Sequence, residues 1–333
     1  MFDIEHIKPH LSKHGYEYKK TIGIGSYSNV FLCRSMKYNV DFAIKCISHN
    51  KVKEYEYNAL INLTHHHIIQ LYEIFGEDKF QYLVMEYCPN ETLKKKGKLE
   101  YAEFINYSRQ ILEALSYCHS KKIAHRDIKP DNIFLDRYGR VKLADFGFAK
   151  QFDKDVISDE RCGSTMYCSP EIIKDNSLFN PFQADIYALG ITFFYMITGS
   201  HPFPNLSIEN LKRLIAFGQI NFSNYEINSD IQSIIMKMTS HNPKTRPRAE
   251  SLLKLPIYQQ NGSNSFISKS KCKEYYFNIM KPQKNGIIKP VSSYFPESLS
   301  EESMRKSILA RKKWYTAKCD VLRPNIIKKS SQF

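Results

Sequence analysis

The sequence lacks the long apolar segments that mark membrane proteins. None of its runs approaches the roughly 18 apolar residues that a spanning helix needs, and the most apolar stretch, 191–197, is followed closely by Gly199 and Pro202. The first positions carry acidic residues without an apolar segment behind them, so we expect no secretory signal peptide. We therefore expect no transmembrane segment and an intracellular location, in the cytoplasm with the nucleus as an alternative.

Paired cysteines are also missing, because the eight cysteines stand singly without a CxxC motif. This pattern favours a reducing compartment with buried or incidental thiols over a disulfide framework or a cysteine metal site. The composition, with 42% hydrophobic and 25% charged residues, excludes a wholly disordered chain. The sequence thus indicates an ordinary globular protein.

The net charge of +14 is concentrated near the C-terminus. Residues 259–333 contain 15 Lys and Arg against 5 Asp and Glu, whereas residues 1–258 contain 33 against 29. The composition turns to Ser, Asn, Gln and Lys beyond Ile257, so we place the domain end at residue 258. The basic character therefore belongs mainly to a tail, 259–333.

A basic helix is predicted within this tail at 298–315, where Ser298 and Glu301 fit a capping box. Such a segment suits an acidic partner, a calmodulin-like protein or an anionic membrane. The alternative is a solvated, largely disordered tail. Since the sequence has no recognisable nucleic-acid-binding module, no nucleic-acid partner is expected.

The front of the chain alternates short strands before helices take over. Hydrophobic periodicity predicts strands at 18–23, 29–33, 42–47, 68–75 and 82–87, and helices at 52–63 and 104–119. A small β-rich lobe followed by a larger helical lobe is an α+β bilobal arrangement. The fold class predicted from the residues is therefore α+β with two lobes.

A glycine-containing segment, 23–30, lies between two predicted strands. Glycine lets a backbone approach phosphate groups closely. The strand–loop–strand context disfavours a dinucleotide-binding fold, and GxxxxGK[ST] is absent, which disfavours a Walker-type nucleotide site. Ser28 occupies the place of the usual third glycine.

Several further motifs follow in a fixed order: Ala43-Ile44-Lys45, the 125–132 sequence HRDIKPDN, Asp145-Phe146-Gly147, Ser169-Pro170-Glu171, Asp185 and Arg246. Together they resemble the eukaryotic protein kinase family over residues 16–258. The 162–171 sequence is most similar to the calmodulin-kinase and AMP-activated-kinase group. The resemblance implies an N-terminal extension at 1–15, an N-lobe at 16–86, a hinge at 86–98 and a C-lobe at 99–258.

The resemblance also implies the catalytic roles. Asp127 would accept the proton of the substrate hydroxyl, and Lys129 would contact the transferring phosphate. Lys45 would bind the α- and β-phosphates of ATP. Asn132 and Asp145 would bind Mg²⁺, with Mn²⁺ as a substitute, because hard cations prefer oxygen ligands.

The partner of Lys45 stays open between two glutamates. Glu54 and Glu56 both lie on the predicted helix, and the alignment of Leu60 and Leu63 with the family pattern selects Glu56. The interval from Lys45 to Glu56 is shorter than is usual in the family.

The ATP site implied by the resemblance combines the glycine loop, strand residues and the hinge. Met85 matches the gatekeeper, Glu86 and Cys88 would offer backbone hydrogen bonds to the adenine, and Phe134 would pack on the purine. The full set is Gly23, Ile24, Gly25, Ser26, Tyr27, Ser28, Val30, Ala43, Lys45, Met85, Glu86, Cys88 and Phe134.

Regulatory roles are expected in the activation segment, residues 145–171. Lys129 is the Ser/Thr-kinase form of the loop, and Ser164 would contact Asp127. Glu160 stands where this group carries its activating phosphothreonine, so we hypothesise that it replaces the phosphate beside Arg126. The alternatives are a solvated acidic loop, or phosphorylation at Ser158.

The remaining motif residues are expected to be structural. Glu171 and Arg246 would form a buried ion pair, and Asp185 would hold the catalytic loop, 125–132. The sequence His65-His66-His67 falls in a loop of the family pattern and is not expected to bind a metal.

The predicted function is an ATP-dependent kinase that phosphorylates Ser or Thr hydroxyls of protein substrates. The rival interpretation is a pseudokinase scaffold, which Ser28 and the short interval before Glu56 favour but the complete set of catalytic residues disfavours. A small-molecule kinase is a second rival, which the complete activation segment disfavours.

Overall fold

The computed structural model describes residues 3–25, 28–48, 59–152, 158, 160, 162–174, 178–204, 206–217 and 219–259. Within these ranges the chain forms a β-sheet lobe followed by a helical lobe. The predicted α+β bilobal class is therefore confirmed. Among the described residues, no helix is long and apolar enough to cross a membrane.

The N-lobe is built on one antiparallel sheet of five strands, in the spatial order β1-β2-β3-β5-β4. The strands are β1 (Tyr16–Ile24), β2 (Ser28–Ser35), β3 (Asp41–Ser48), β4 (Leu71–Glu77) and β5 (Phe80–Glu86). Because side chains alternate along a strand, Ala43 and Lys45 of β3 share one face, while Ile44 and Cys46 point to the other. The first face borders the cleft between the lobes.

The opposite face of this sheet is covered by α1 (Ile4–Lys13). Asp3 caps the helix by accepting a hydrogen bond from the Glu5 N–H, and Ile7 and Leu11 are fully buried against the apolar side chains of the sheet. Polar contacts add to this packing, since His10 Nδ1 lies 2.9 Å from the Tyr82 hydroxyl. The N-terminal extension is thus an integral part of the lobe.

The C-lobe surrounds a helix that is buried along most of its length, α5 (Pro181–Thr198). The other helices are α2 (Leu93–Lys96), α3 (Tyr101–Ser120), α4 (Pro170–Ile173), α6 (Ile208–Phe217), α7 (Ser229–Met238), α8 (Ala249–Leu253) and α9 (Pro256–Gln259). The apolar stripe of α3 packs into this core, with Ile111, Leu112 and Leu115 fully buried. The hydrophobic core of the C-lobe therefore supports the side of the cleft that this lobe forms.

Two short antiparallel pairs lie at the boundary of the lobes. They join β6 (Ile123–Ala124) to β9 (Lys150–Gln151) and β7 (Ile133–Leu135) to β8 (Val141–Leu143). The catalytic loop connects β6 to β7, and Asp145 follows β8 after one residue. These pairs consequently deliver the motif residues to one end of the cleft.

Two predicted elements differ in detail from the structure. The 86–98 segment, predicted as the hinge, contains α2, which begins because Thr92 Oγ1 accepts a hydrogen bond from the Lys95 N–H. Of the helix predicted at 52–63, only residues 59–61 are described as helical, and 51–58 lie outside the described residues.

Cys33, Cys46 and Cys118 are free, buried thiols.

Candidate active site

Asp127 lies at the centre of the site and is held from several sides. Its Oδ2 accepts hydrogen bonds from Lys129 Nζ at 2.7 Å and from Asn132 Nδ2 at 2.9 Å. Its Oδ1 accepts from the Ser164 backbone N–H at 3.0 Å and from Ser164 Oγ at 3.1 Å. Lys129 Nζ also donates to Ser164 Oγ at 2.8 Å. The carboxylate is therefore oriented by three neighbours before any substrate binds.

The backbone before Asp127 is fixed by a buried carboxylate and a histidine. Asp185 is 1% exposed. It accepts hydrogen bonds from the N–H groups of His125 and Arg126, both at 2.8 Å. His125 Nδ1 accepts from the Asp127 N–H, so its Nε2 carries the proton that is donated to Ala144 O at 3.0 Å. Asp185 thus holds the loop and does not face the cleft.

A glycine allows the activation segment to approach the catalytic loop. Gly163 has φ of +91°, and a Cβ on it would lie 2.5 Å from the backbone oxygen of Arg126. Arg126 and Asp145 also adopt positive φ, at 66° and 58°. Left-handed backbone at residues other than glycine is uncommon and is retained only where the surroundings enforce it. Arg126 and Asp145 are therefore held in this conformation by their surroundings at the site.

Lys45 and Asp145 meet across the cleft, with Nζ 3.2 Å from Oδ1. The surrounding protein desolvates Asp145 and would raise its pKa, yet the charge and hydrogen bond of Lys45, together with smaller contributions from neighbouring groups, lower the pKa overall. The side chain of Asp145 remains 42% exposed toward the cleft. An ionised carboxylate open to the cleft is suited to bind a cation.

The donor chemistry around Asp145 fits Mg²⁺. Asn132 donates through Nδ2 to both the backbone oxygen and Oδ2 of Asp127, which turns its oxygen away from Asp127. Its backbone oxygen accepts from the Ala144 N–H at 2.9 Å, so Asn132 lies beside the residue that precedes Asp145. Mg²⁺ is usually held by one or two protein oxygens and completed by substrate phosphates. Asn132 and Asp145 supply that number.

Two glutamates of the activation segment, Glu160 in its middle and Glu171 at its C-terminal end, are paired with arginines. Glu160 Oε2 lies 3.0 Å from Arg126 Nη1 and 3.0 Å from Lys150 Nζ. The hydrogen bond from Arg126 is the main reason why the pKa of Glu160 is lowered. Ser158 is buried, and its Oγ accepts from the Glu160 N–H.

At the C-terminal end of the segment, Arg246 makes a two-point contact with Glu171. Nη1 and Nη2 donate to the two carboxylate oxygens at 2.6 and 2.7 Å. Arg246 also donates to the backbone oxygens of Ser240 and Gln183, and its guanidinium lies over the Tyr187 ring. This ion pair is fully desolvated on the arginine side.

Residues 16–258 match the family described as protein kinase domain. The chain belongs to this family. Mouse NUAK family SNF1-like kinase 1 is 32% identical over 259 residues, which cover 74% of this chain and 39% of the relative. CBL-interacting serine/threonine-protein kinase 15 of Arabidopsis thaliana is 29% identical over 253 residues, covering 72% of this chain and 60% of the relative.

CBL-interacting protein kinase 9 of rice (Oryza sativa subsp. japonica) is 30% identical over 269 residues, covering 74% of this chain and 59% of the relative. The chain therefore spans about two fifths to three fifths of the length of these relatives. The predicted resemblance to the calmodulin-kinase and AMP-activated-kinase group is confirmed.

The predicted nucleotide-site residues of the kinase domain border the cleft. Gly23 of β1 is paired with Val30 of β2, and Val30 is paired with Lys45 of β3. The turn between β1 and β2 closes through a hydrogen bond from the Gly25 N–H to Ser28 O at 2.8 Å. Ile24 is exposed beside this turn, and Ala43 of β3 pairs with Met85 of β5. Glu86 is the last residue of β5, and Cys88 follows it in the hinge. Phe134 lies on β7. Through these pairings Gly23, Val30, Ala43, Lys45 and Met85 lie on one face of the sheet.

Some predicted kinase residues lie outside the described part of the chain. They are Ser26, Tyr27, Glu54, Glu56 and the tail segment 298–315. The choice between Glu54 and Glu56 as the partner of Lys45 consequently stays a prediction, as do the partners of the tail.

The three consecutive histidines pack in the loop before β4. Burial lowers the pKa of His65 and of His67 to about 4. His67 Nδ1 lies 3.1 Å from Val141 O, and its ring is directed toward Glu113. Among the residues that the structure describes, no group of three or more metal-ligating side chains is found. The histidines contact β8 and α3 as packing residues.

Sequence reasoning missed two charged residues near the site. Lys150 joins the contact with Glu160, and Lys142 lies 2.8 Å from Glu86. The sequence did contain a signal for the contact between Lys142 and Glu86. Lys142 stands between the apolar residues Val141 and Leu143, and a charged side chain is seldom buried in a strand without a partner.

Proposed function

We propose that this protein transfers the γ-phosphate of Mg·ATP to Ser or Thr hydroxyls of protein substrates. The observation that carries the proposal is the orientation of Asp127 by Lys129, Asn132 and Ser164. A general base must be held within hydrogen-bond reach of the proton it removes. Membership of the protein kinase family and the Ser/Thr kinases among its relatives support the same reaction.

In this reaction Asp127 accepts a hydrogen bond from the acceptor hydroxyl and takes its proton. Lys129 supplies positive charge beside that carboxylate, and Lys45 supplies it beside Asp145. Phosphoryl transfer depends mainly on such positioning and charge stabilisation. When bound at Asn132 and Asp145, Mg²⁺ supplies further charge neutralisation for the phosphate oxygens.

Transfer of labelled phosphate from ATP to a generic basic protein tests the proposal. Wild-type protein and Asp145→Ala are compared with Mg²⁺ present, and we expect a loss of at least about 100-fold in the variant, because electrostatic groups at the reacting centre typically contribute that much. Direct measurement of Mg·ATP binding accompanies the assay. Wild-type protein that binds Mg·ATP without transferring phosphate would favour the pseudokinase scaffold, and transfer to a metabolite alone would favour a small-molecule kinase.

We further propose that Glu160 makes this kinase activity independent of phosphorylation of the activation segment. The contact of Glu160 with Arg126 and Lys150 supports the proposal, because it provides at this position the anion that a phosphate would provide. Ser158 is the less suitable site for phosphorylation because its side chain is 6% exposed. Protein prepared with a co-expressed phosphatase should therefore keep its activity.

A further inference from the structure

A lysine buried in the β7–β8 hairpin is joined to the first residue of the hinge. Lys142 lies at the centre of β8 across from Phe134 and is 2% exposed. Its Nζ lies 2.8 Å from Glu86 Oε2, and the Glu86 side chain is 15% exposed. Charged side chains are seldom buried to this extent unless they are paired. Neither side chain takes part in the phosphoryl transfer described above.

This ion pair connects the two lobes of the kinase domain. Glu86 is the last residue of β5, pairs with Phe42 of β3, and donates its N–H to Gln70 O at 2.9 Å. Lys142 precedes Asp145 by three residues on the strand that leads to it. The pair therefore joins the strand end next to the expected adenine site to the strand next to the expected metal site.

Main-chain hydrogen bonds already attach β8 to the N-lobe at another point. The Leu143 N–H donates to His67 O at 2.8 Å, and the Ile69 N–H donates to Leu143 O at 2.9 Å. These bonds fix β8 to the loop before β4 and leave the hinge to other contacts. The contact between Lys142 and Glu86 extends the attachment of β8 to the hinge itself.

The other charged and titratable groups around Lys142 do not replace Glu86. His65, His66 and His67 face it from the loop before β4, and burial lowers the pKa of each, so they are neutral near pH 7. Cys88 faces it from the hinge, and burial strongly raises the pKa of this thiol. In the 136–140 turn, Asp136 is paired with Arg140 at 2.6 Å. Glu86 therefore supplies the negative charge beside the ammonium group.

We propose that Lys142 and Glu86 are positioning residues for ATP. Their ion pair holds the hinge backbone at the separation from Asp145 that the two ends of the nucleotide require. This inference rests on the proposed kinase function and adds to it a determinant of nucleotide affinity. The protein acceptor is positioned by Asp127 and Ser164, which make no contact with the pair, so its affinity should not change.

The experiment uses the full chain with Lys142→Met, Glu86→Gln and the double variant Lys142→Met/Glu86→Leu. Calorimetry gives the Kd of a non-hydrolysable Mg·ATP analogue, kinetics give KM for ATP and for the protein substrate, and thermal unfolding gives Tm. We expect each single variant to raise the Kd and the KM for ATP about tenfold, since small misplacements of binding groups have effects of that size or larger. The KM for the protein substrate should stay within about twofold of wild type.

The double variant separates positioning from simple removal of an unpaired charge. Two apolar side chains often replace a buried ion pair without loss of stability, so Tm should return toward wild type while ATP binding stays weak. Recovery of both Tm and ATP affinity would overturn the inference. Glu86→Gln preserves side-chain size and an acceptor oxygen, so it tests the inference if Lys142→Met does not fold.

Arg140→Met is the matched control, because it breaks an ion pair that stays within the same hairpin. We expect it to leave the affinity for ATP unchanged, and an equal loss in this variant would overturn the inference. Variants at Lys142 and Glu86 that bind ATP as tightly as wild type would also overturn it. Wild-type protein that binds no Mg·ATP would overturn the proposed function together with the inference, so the two failures are distinguishable.

Discussion

Two ion pairs between arginine and glutamate hold the activation segment, one in its middle at Glu160 and one at its C-terminal end at Glu171, but the two pairs differ in burial and geometry. Arg246 is fully buried and contacts both oxygens of Glu171. Arg126 shares one oxygen of Glu160 with Lys150, and the Glu160 side chain is 40% exposed. A buried two-point pair fixes its end of the segment, whereas a half-exposed single-point pair can be made and broken at small cost. The proposed role of Glu160 therefore places control of the segment at the more exposed of the two pairs.

The largest effect is expected from Arg246→Ala, which leaves Glu171 without its arginine in a region of low solvent access. We expect a loss of about 3–5 kcal/mol in the free energy of unfolding, the usual effect of removing one partner of a buried pair. Denaturant titration measures it. Lys254→Ala serves as the control, because the pair of Lys254 with Glu250 is exposed. Equal losses in both variants would contradict the difference between buried and exposed pairs.

A smaller effect on stability and a clear effect on activity are expected from Glu160→Gln. The variant retains side-chain size and removes the charge that faces Arg126 and Lys150. We expect kcat/KM to fall about 3- to 10-fold, while the free energy of unfolding changes by less than about 1 kcal/mol, as for other half-exposed pairs. Glu209→Gln, which alters an exposed pair with Arg213, should leave activity unchanged. Unaltered activity in Glu160→Gln would leave the solvated acidic loop as the better interpretation.

Ionic strength should affect the Glu160 ion pair and the Glu171 ion pair differently. Exposed ion pairs are screened at high ionic strength, whereas buried pairs are screened much less. The activity of wild-type protein relative to Glu160→Gln should therefore decrease by about two- to threefold between low and high salt. The loss of stability caused by Arg246→Ala should stay nearly constant over the same range. A constant activity ratio would contradict the assignment of control to Glu160.

The stability that the Glu160 ion pair contributes should decrease at acidic pH. The pKa of Glu160 is lowered, chiefly by the hydrogen bond from Arg126, so its contribution to stability is present above the ordinary glutamate pKa. That contribution is lost as the pH falls through the lowered value. The difference in Tm between wild type and Glu160→Gln should therefore be constant from neutral pH down to the ordinary pKa and shrink below it. A difference that grows on acidification would contradict this sign.

Sequence reasoning identified residues that lie together in the structure where a motif carries several residues at a fixed spacing. The contacts around Asp127 join Lys129 and Asn132 from its own loop, and the family pattern supplied Ser164 from farther along the chain. It failed where one residue acts through a distant partner. The contact of Lys142 with Glu86 depends on how β8 meets the end of β5, which no local pattern contains.

The helix α1 was missed for a different reason. Its apolar residues Ile4, Ile7 and Leu11 follow helical spacing behind the Asp3 cap, but they lie outside the motifs of the family.

The interval of 49–58, which contains both candidate partners of Lys45, lies outside the described residues. Glu56 consequently stays a prediction, which the comparison of Glu56→Gln with Glu54→Gln checks.

The position of α1 has a practical consequence for anyone who shortens this protein. The stretch shared with the family starts at residue 16, but the packed N-lobe starts about a dozen residues earlier, at α1. A protein that begins at residue 16 would leave the outer face of the sheet, including Phe75, Tyr82 and Val84, without the side chains of Ile7 and Leu11. A solvent-exposed apolar patch on a β-sheet promotes self-association. We therefore expect a protein that begins at residue 16 to be less soluble than one that retains α1.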